Sequence, residues 1–359
     1  MAFLKHWWVS IILLLFCIAI SIFCADAAFV EQYYSLKIYP AIGYILRTIF
    51  GWLPFSLGDV LYACIAIWLI ANSVRGVKCV VKKKYLKANF KTILNKIFIF
   101  GATIYIVFYI FWGINYNRIG IANQLSLQIN AYTVKELKQI NDVLVTKVNI
   151  CKTALLLSTQ AYPTNKNLYK KVDSAYVQLA NVYPFLKYKP TAIKTSLWGW
   201  FGNYAGFTGY YNPFTGEAQV NTTGPKYTQG YTACHEVAHQ LGYAKEMEAN
   251  FVGYLAAHYS GDTLLLYSCY TSLLSYANRT LYFADTTSAM QYRRQLLPAV
   301  QADYKSVQQF NAAHKSIIEP IVGFVYNKFL QSNQQPLGLL SYDEVTAFLI
   351  AYYKKFGDI

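Results

Sequence analysis

Three apolar runs within the first 114 residues limit what this chain can fold into more than anything else in it. They cover residues 7–25, 57–74 and 97–114. Each is about 18 residues long, close to the shortest helix that crosses a hydrocarbon layer. A backbone in lipid must satisfy its own hydrogen bonds, so each run is predicted to be a helix. Hydrophobic residues make up 55% of the chain and charged ones only 14%, too apolar for an ordinary soluble domain. The 359 residues therefore divide into a three-helix transmembrane module, residues 1–114, and one further domain, residues 115–359.

Charge placement predicts the orientation. Spread over a soluble surface, the net charge of +15 would suggest nucleic acid. Much of the excess instead crowds into residues 75–96, between the second and third runs. Arg75, Lys78, Lys82, Lys83, Lys84, Lys87, Lys91 and Lys96 lie there with no acidic residue among them. A basic loop between spans stays on the cytoplasmic side, so the expected partner is a lipid bilayer and no nucleic acid. Residues 26–56 and 115–359 then fall outside the cytoplasm. Ala25-Asp26-Ala27 also fits a signal-peptide cleavage site, which would leave the same topology downstream.

Residues 33–56 are apolar but broken by Lys37, Pro40, Arg47 and Pro54, which predicts an amphipathic helix at the outer interface. Beyond the spans, Thr133 and Glu136 stand in capping-box spacing and open a helix to about residue 160, with another over 166–181. Residues 194–221 are rich in Gly and aromatic residues and read as strands and turns. Residues 212–216 turn the chain between two strands, and 218–221 is expected as an edge strand on which an extended peptide pairs. Glu217 beside it reads as a solvated carboxylate. Helices follow over 228–241, 244–260, 262–277, 288–313 (bent at Pro298), 317–331 and 341–355. The fold class is α+β, mainly helical. Of seven Cys, Cys151, Cys234 and Cys269 fall in the outer domain. A Cys151–Cys269 bridge is left open by the sequence, and Cys234 is expected to be a packed thiol.

Chemistry concentrates in His235-Glu236-Val237-Ala238-His239. Imidazoles at positions i and i+4 of a helix share one face and reach a single ion. A carboxylate one residue after the first His touches a metal-bound water without ligating the metal. A catalytic Zn2+ needs a third protein ligand and an open position. Glu246 is the expected third ligand, with Glu248 as the reserve. Asn250 lies four residues beyond Glu246 on the same face, placed to hydrogen-bond a ligating His. His258 is rotated off that face and His314 has no evident role. Tyr210, Tyr211, Arg293 and Arg294 are candidate oxyanion donors.

This pattern of His235, Glu236 and His239 followed by Glu246 and Asn250 resembles the gluzincin metallopeptidases. Those enzymes carry Asp where Asn250 stands and space the third ligand further from the motif. The Gly242 turn is similar to that of metzincins, but Lys245 occupies their third His position. Over nearly its whole length the chain also resembles the DUF3810 family of uncharacterised bacterial multi-pass membrane proteins. Residues 112–116, 211–218, 232–236, 248–251 and 341–342 carry that likeness. Together the resemblances imply a zincin-like extracytoplasmic domain on the bacterial cytoplasmic membrane, with catalytic Glu236 and zinc on His235, His239 and Glu246. Its substrate would be a peptide or protein outside the cytoplasm. The alternatives are a non-catalytic metal-binding envelope protein, its site closed by a ligand such as Cys234 or His258, and a membrane scaffold or sensor without metal. Oligomeric state is not encoded legibly.

Overall fold

Each apolar run folds as a helix: Ala2–Cys24, Leu57–Val81 and Phe90–Phe111. The computed structural model describes residues 2–81, 90–158 and 160–359; Lys82, Lys83, Lys84 and Lys87, and the side chains of His6 and Cys79, lie outside this description. Trp7–Cys24, Leu57–Lys78 and Lys91–Phe111 are long and apolar enough to cross a membrane. Only 11% of each of these windows is buried, so the protein does not cover them itself. The first and third spans pack together, and Ser10 donates to Asn95 between them. The third helix stops at Phe111 rather than at residue 114. Trp112 leaves helical geometry (φ −155°, ψ −52°), and Gly113–Asn117 forms a 3-10 turn with Gly113, Ile114, Asn115 and Tyr116 buried.

The segment expected as an interfacial helix is a π-helix, Val30–Ile38, continued by an α-helix, Tyr39–Phe50. Its inward face is mixed: Glu31, Ser35 and Arg47 are buried there beside Val30, Tyr34, Tyr39 and Leu46, while Leu36, Ile38, Tyr44, Ile45 and Ile49 are exposed. Polar residues point inward because the inner neighbours are loop backbone and ions. Arg47 donates to Pro190 O at 2.9 Å and Gln240 O at 3.1 Å. Glu31 takes a bidentate pair from Arg118 at 2.6 and 2.9 Å, and Arg118 also donates to Gly242 O at 3.1 Å. A buried pair with this many hydrogen bonds avoids most of the cost of desolvating its charges.

Residues 118–359 are mainly helical around one three-stranded sheet. β1 (Ile193–Thr195), β2 (Gly209–Asn212) and β3 (Glu217–Val220) run in the order β1-β3-β2. β3 pairs parallel with β1, Ile193 opposite Ala218, and antiparallel with β2, Gly209 opposite Val220. The strand expected at an edge is therefore central, with both rows of its main-chain groups used within the sheet. β2 is an edge. Asn212 turns the chain into β3 by accepting from Phe214 N at 2.9 Å and Thr215 N at 3.2 Å.

Glu217 is also corrected. It is fully buried and accepts from Leu57 N at 3.1 Å and Gly58 N at 2.7 Å, the first amides of the second span. A carboxylate at a helix N-terminus meets both free donors and the positive end of the dipole.

Helix Val134–Leu157 carries the predicted capping box, and Asn165–Val182 follows. A short helix, Gly199–Ala205, interrupts the region read as strands. Thr263–Ala284 runs longer than expected, and the bent helix resolves into two, Thr286–Arg294 and Pro298–Ala313. Pro298 starts the second because a first-turn residue has no amide bond to lose. Helices Gln229–Gln240 and Glu246–Ser260 lie in the main core, almost wholly enclosed.

Candidate metal centre

Helix Gln229–Gln240 carries the motif, and only Thr232 among its residues escapes full burial. It ends at Gly242, whose φ of +89° reverses the chain. The reversal brings Tyr243 O back to accept from His239 Nδ1 at 2.7 Å. Helix Glu246–Ser260 begins three residues later and packs against the motif helix.

Glu246 Oε2 lies 3.2 Å from His235 Nε2 and 3.5 Å from His239 Nε2. One ligand atom from each of the three residues falls within 4.8 Å of the others. Donors about 2.0–2.1 Å from a tetrahedral centre stand about 3.3 Å apart, so this spacing suits a zinc-sized ion. Glu246 Oε2 is buried with the two imidazole nitrogens as its polar neighbours, the donor set of a metal ligand. Glu246 Oε1 accepts from the Tyr326 hydroxyl at 2.6 Å, and its backbone amide donates to Gln335 Oε1 at 2.8 Å.

Asn250 Oδ1 lies 2.8 Å from His235 Nδ1, which fixes that ring and turns Nε2 toward Glu246. Tyr231 holds Asn250 in turn, donating to its backbone oxygen at 2.8 Å. Asn250→Ala is expected to weaken metal affinity about 10–100-fold, the range for loss of an outer hydrogen-bond partner. Competition with a chromophoric chelator measures it; unchanged affinity would show that Asn250 does not orient the ligand.

Glu236 projects toward β2. A Cβ added at Gly209 would sit 2.6 Å from Glu236 Oε1, so only glycine leaves the carboxylate room. Its Oε2 is buried without a partner. Burial pushes the Glu236 carboxyl up to about 7, against the lowering effect of His235 and His239 and with a further push from Glu246. At His239 burial favours the neutral ring, but the Glu246 charge overrides it and raises the imidazole to about 9. Burial also opposes ionisation of Glu246, yet His239 and His235 hold it well below the usual carboxylate range. A cation among these donors replaces the imidazole proton.

The reserve ligand, Glu248, points elsewhere. It faces Gly120, where an added Cβ would meet its Oε1 at 1.8 Å, and Gly120 has φ +96°. Burial raises the Glu248 carboxyl to about 7 despite Lys245 and Arg118.

The other candidates are placed away from the three ligands. Tyr210 donates to Asp59 and contacts Ser196. Tyr211 pairs with the Tyr39 hydroxyl at 3.1 Å. Arg293 donates to Asn278 at 2.9 Å, and Arg294 is exposed. His258 packs among Tyr254, Tyr259 and Tyr352, and His314 against Phe310 and Tyr204. Cys234 is a packed thiol, as expected, and Cys151 and Cys269 are buried free thiols.

Sequence reasoning missed Tyr326 and Tyr342. The Tyr342 ring stacks on His235 with centroids 6.2 Å apart. The Trp112 ring stands edge-on to His239 at 5.9 Å.

A family model described as a protein of unknown function (DUF3810) matches residues 34–350. The chain belongs to that family. The matched stretch contains the second and third spans and every residue of the His235–His239–Glu246 cluster. No curated protein and no solved structure matches the chain.

Proposed function

We propose that this protein is a membrane-anchored zinc-dependent metallopeptidase whose outer domain hydrolyses peptide bonds of envelope or extracellular proteins. The observation that carries this reading is the convergence of His235, His239 and Glu246 beside a Glu236 carboxylate with a free oxygen. Zinc on those three residues would polarise a peptide carbonyl and lower the pKa of a water toward ~7. Glu236 Oε2 then accepts the proton released as water attacks and delivers it to the leaving amine. Tyr326 and Asn250 hold Glu246 and His235 in place throughout. Gly209 puts the edge strand β2 beside Glu236, so the substrate main chain pairs there rather than on β3.

Three ligands with a position left open is the catalytic pattern, and four closed ligands the structural one. Among the described residues the cluster holds three, and neither Cys234 nor His258 joins it. This favours the enzyme over a structural metal site. Orientation is supported by the spans. The end of the first, the start of the second and the end of the third all meet the outer domain. Arg75, Lys78, Lys91 and Lys96 lie toward the opposite ends. Basic residues at those ends favour a cytoplasmic side for them in a multi-pass protein, with the metal centre outside. The resemblance to bacterial multi-pass proteins supports the cytoplasmic membrane as its location.

Full-length protein purified in mild detergent is expected to hold about one zinc per chain. A chelator should stop hydrolysis of a fluorogenic peptide library and added zinc should restore it. Because the metal displaces a proton from His239, its affinity is expected to rise with pH below about 9. A protein that purifies with negligible zinc and takes up none sinks the reading.

A further inference from the structure

Helix Ile318–Ser332 has two faces of opposite character. On its inner face Tyr326 donates to Glu246, and Phe329 packs on Phe108 and Tyr116 with centroids 6.0 Å from each. Phe108 belongs to the last turn of the third span, which ends at Phe111. Tyr109, in the same turn, donates to Asn333 at 3.4 Å just past the end of the helix. One end of the helix is therefore fixed at the height where the third span leaves the hydrocarbon.

The outer face presents Ile321, Phe324 and Val325, which are 62%, 65% and 62% exposed. These positions form one helical stripe. Lys328 lies on the same side with its ammonium 5.9 Å from the Phe324 ring, the arrangement of a cation reaching past apolar surface to water. A second apolar edge adjoins the start of the second span. Trp200 is largely exposed there, and Leu197 N donates to Asp59 at 2.7 Å in the first turn of that span. Soluble surfaces rarely leave such stripes uncovered. The Phe329–Phe108 and Leu197–Asp59 contacts tie both to ends of the apolar spans, so the occupant they fit is lipid.

We propose that the Ile321–Phe324–Val325 stripe lies in the interfacial layer of the bilayer, and that the metal centre acts on chains tethered in that membrane. The centre stands one ring from the end of the third span, the Trp112 ring at 5.9 Å from His239. A polypeptide held by a lipid or a span presents its first residues outside the hydrocarbon at this height. What is cut rests on the peptidase reading; where the helix lies does not.

The test places the photocrosslinker p-benzoylphenylalanine at position 324 of the full-length protein in phosphatidylethanolamine–phosphatidylglycerol vesicles. The same label at exposed Lys135 serves as the comparison. Lipid adducts are expected at 324 and only background at 135. Background labelling at 324, or a crosslink to a second copy of the chain, would overturn the proposal. Zinc content of the same sample reports on the peptidase reading separately, so lipid adducts without zinc would retain the docking surface and lose the enzyme.

Discussion

Glu236→Gln is expected to cut peptide hydrolysis by roughly 10²–10⁴-fold while zinc stays bound. Gln keeps the size and hydrogen-bonding shape of Glu but cannot take up a proton. Glu236 is not among the three clustered ligands, so metal content should not change. Misfolding does not offer an easy escape from the result. Burial raises this carboxyl from 4.5 to about 7, so the folded state holds a proton that the unfolded chain releases above pH 4.5. A raised carboxyl opposes folding increasingly as pH climbs from 4.5 to 7, and a neutral amide removes that opposition. Melting of the metal-free variant at pH 8 should therefore be no lower than that of the native chain. Zinc analysis and initial rates on the same preparation check both halves. Wild-type rates would end the proposed mechanism.

The second large effect separates Glu246 from Glu248. Glu246→Gln removes the charged oxygen lying between two imidazoles, and zinc affinity should fall by more than the roughly 10–100-fold expected for an outer partner. Glu248→Gln should leave zinc content unchanged, because that side chain faces Gly120 instead. Titration of each variant with zinc against a competing chelator reads the difference. Zinc lost from the Glu248 variant and kept by the Glu246 variant would reverse the ligand assignment.

Features set by local rules were legible in the sequence. The spans follow from uninterrupted apolar length, the start of Val134–Leu157 from Thr133 and Glu136, and the pairing of His235 with His239 from helical period. Glu246 and Asn250 followed the same logic, since spacing by four puts both on one face, and the structure brings both to His235. Features made by long-range packing were not legible. Tyr326 reaches Glu246 across 80 residues, and nothing marks it out among 33 Tyr. Glu31 and Arg118 pair across 87 residues, so the polar side of an apolar segment gave no sign that it faced inward. β3 has the composition of any short strand. Its central position depends on β1 arriving from some twenty-five residues earlier, through a parallel pairing that leaves no periodic trace.

The Glu217 bond to the second span bears on how this protein can be taken apart. A soluble fragment starting at residue 115 would keep that carboxylate in the sheet but strip away Leu57 and Gly58, the two amides that meet its charge. Arg118 would lose Glu31, and the His239 end of the motif helix would lose Arg47 and Tyr39. Anchor and chemistry are thus one foundation, and shearing off the hydrophobic N-terminal part would leave orphaned ions inside the remainder.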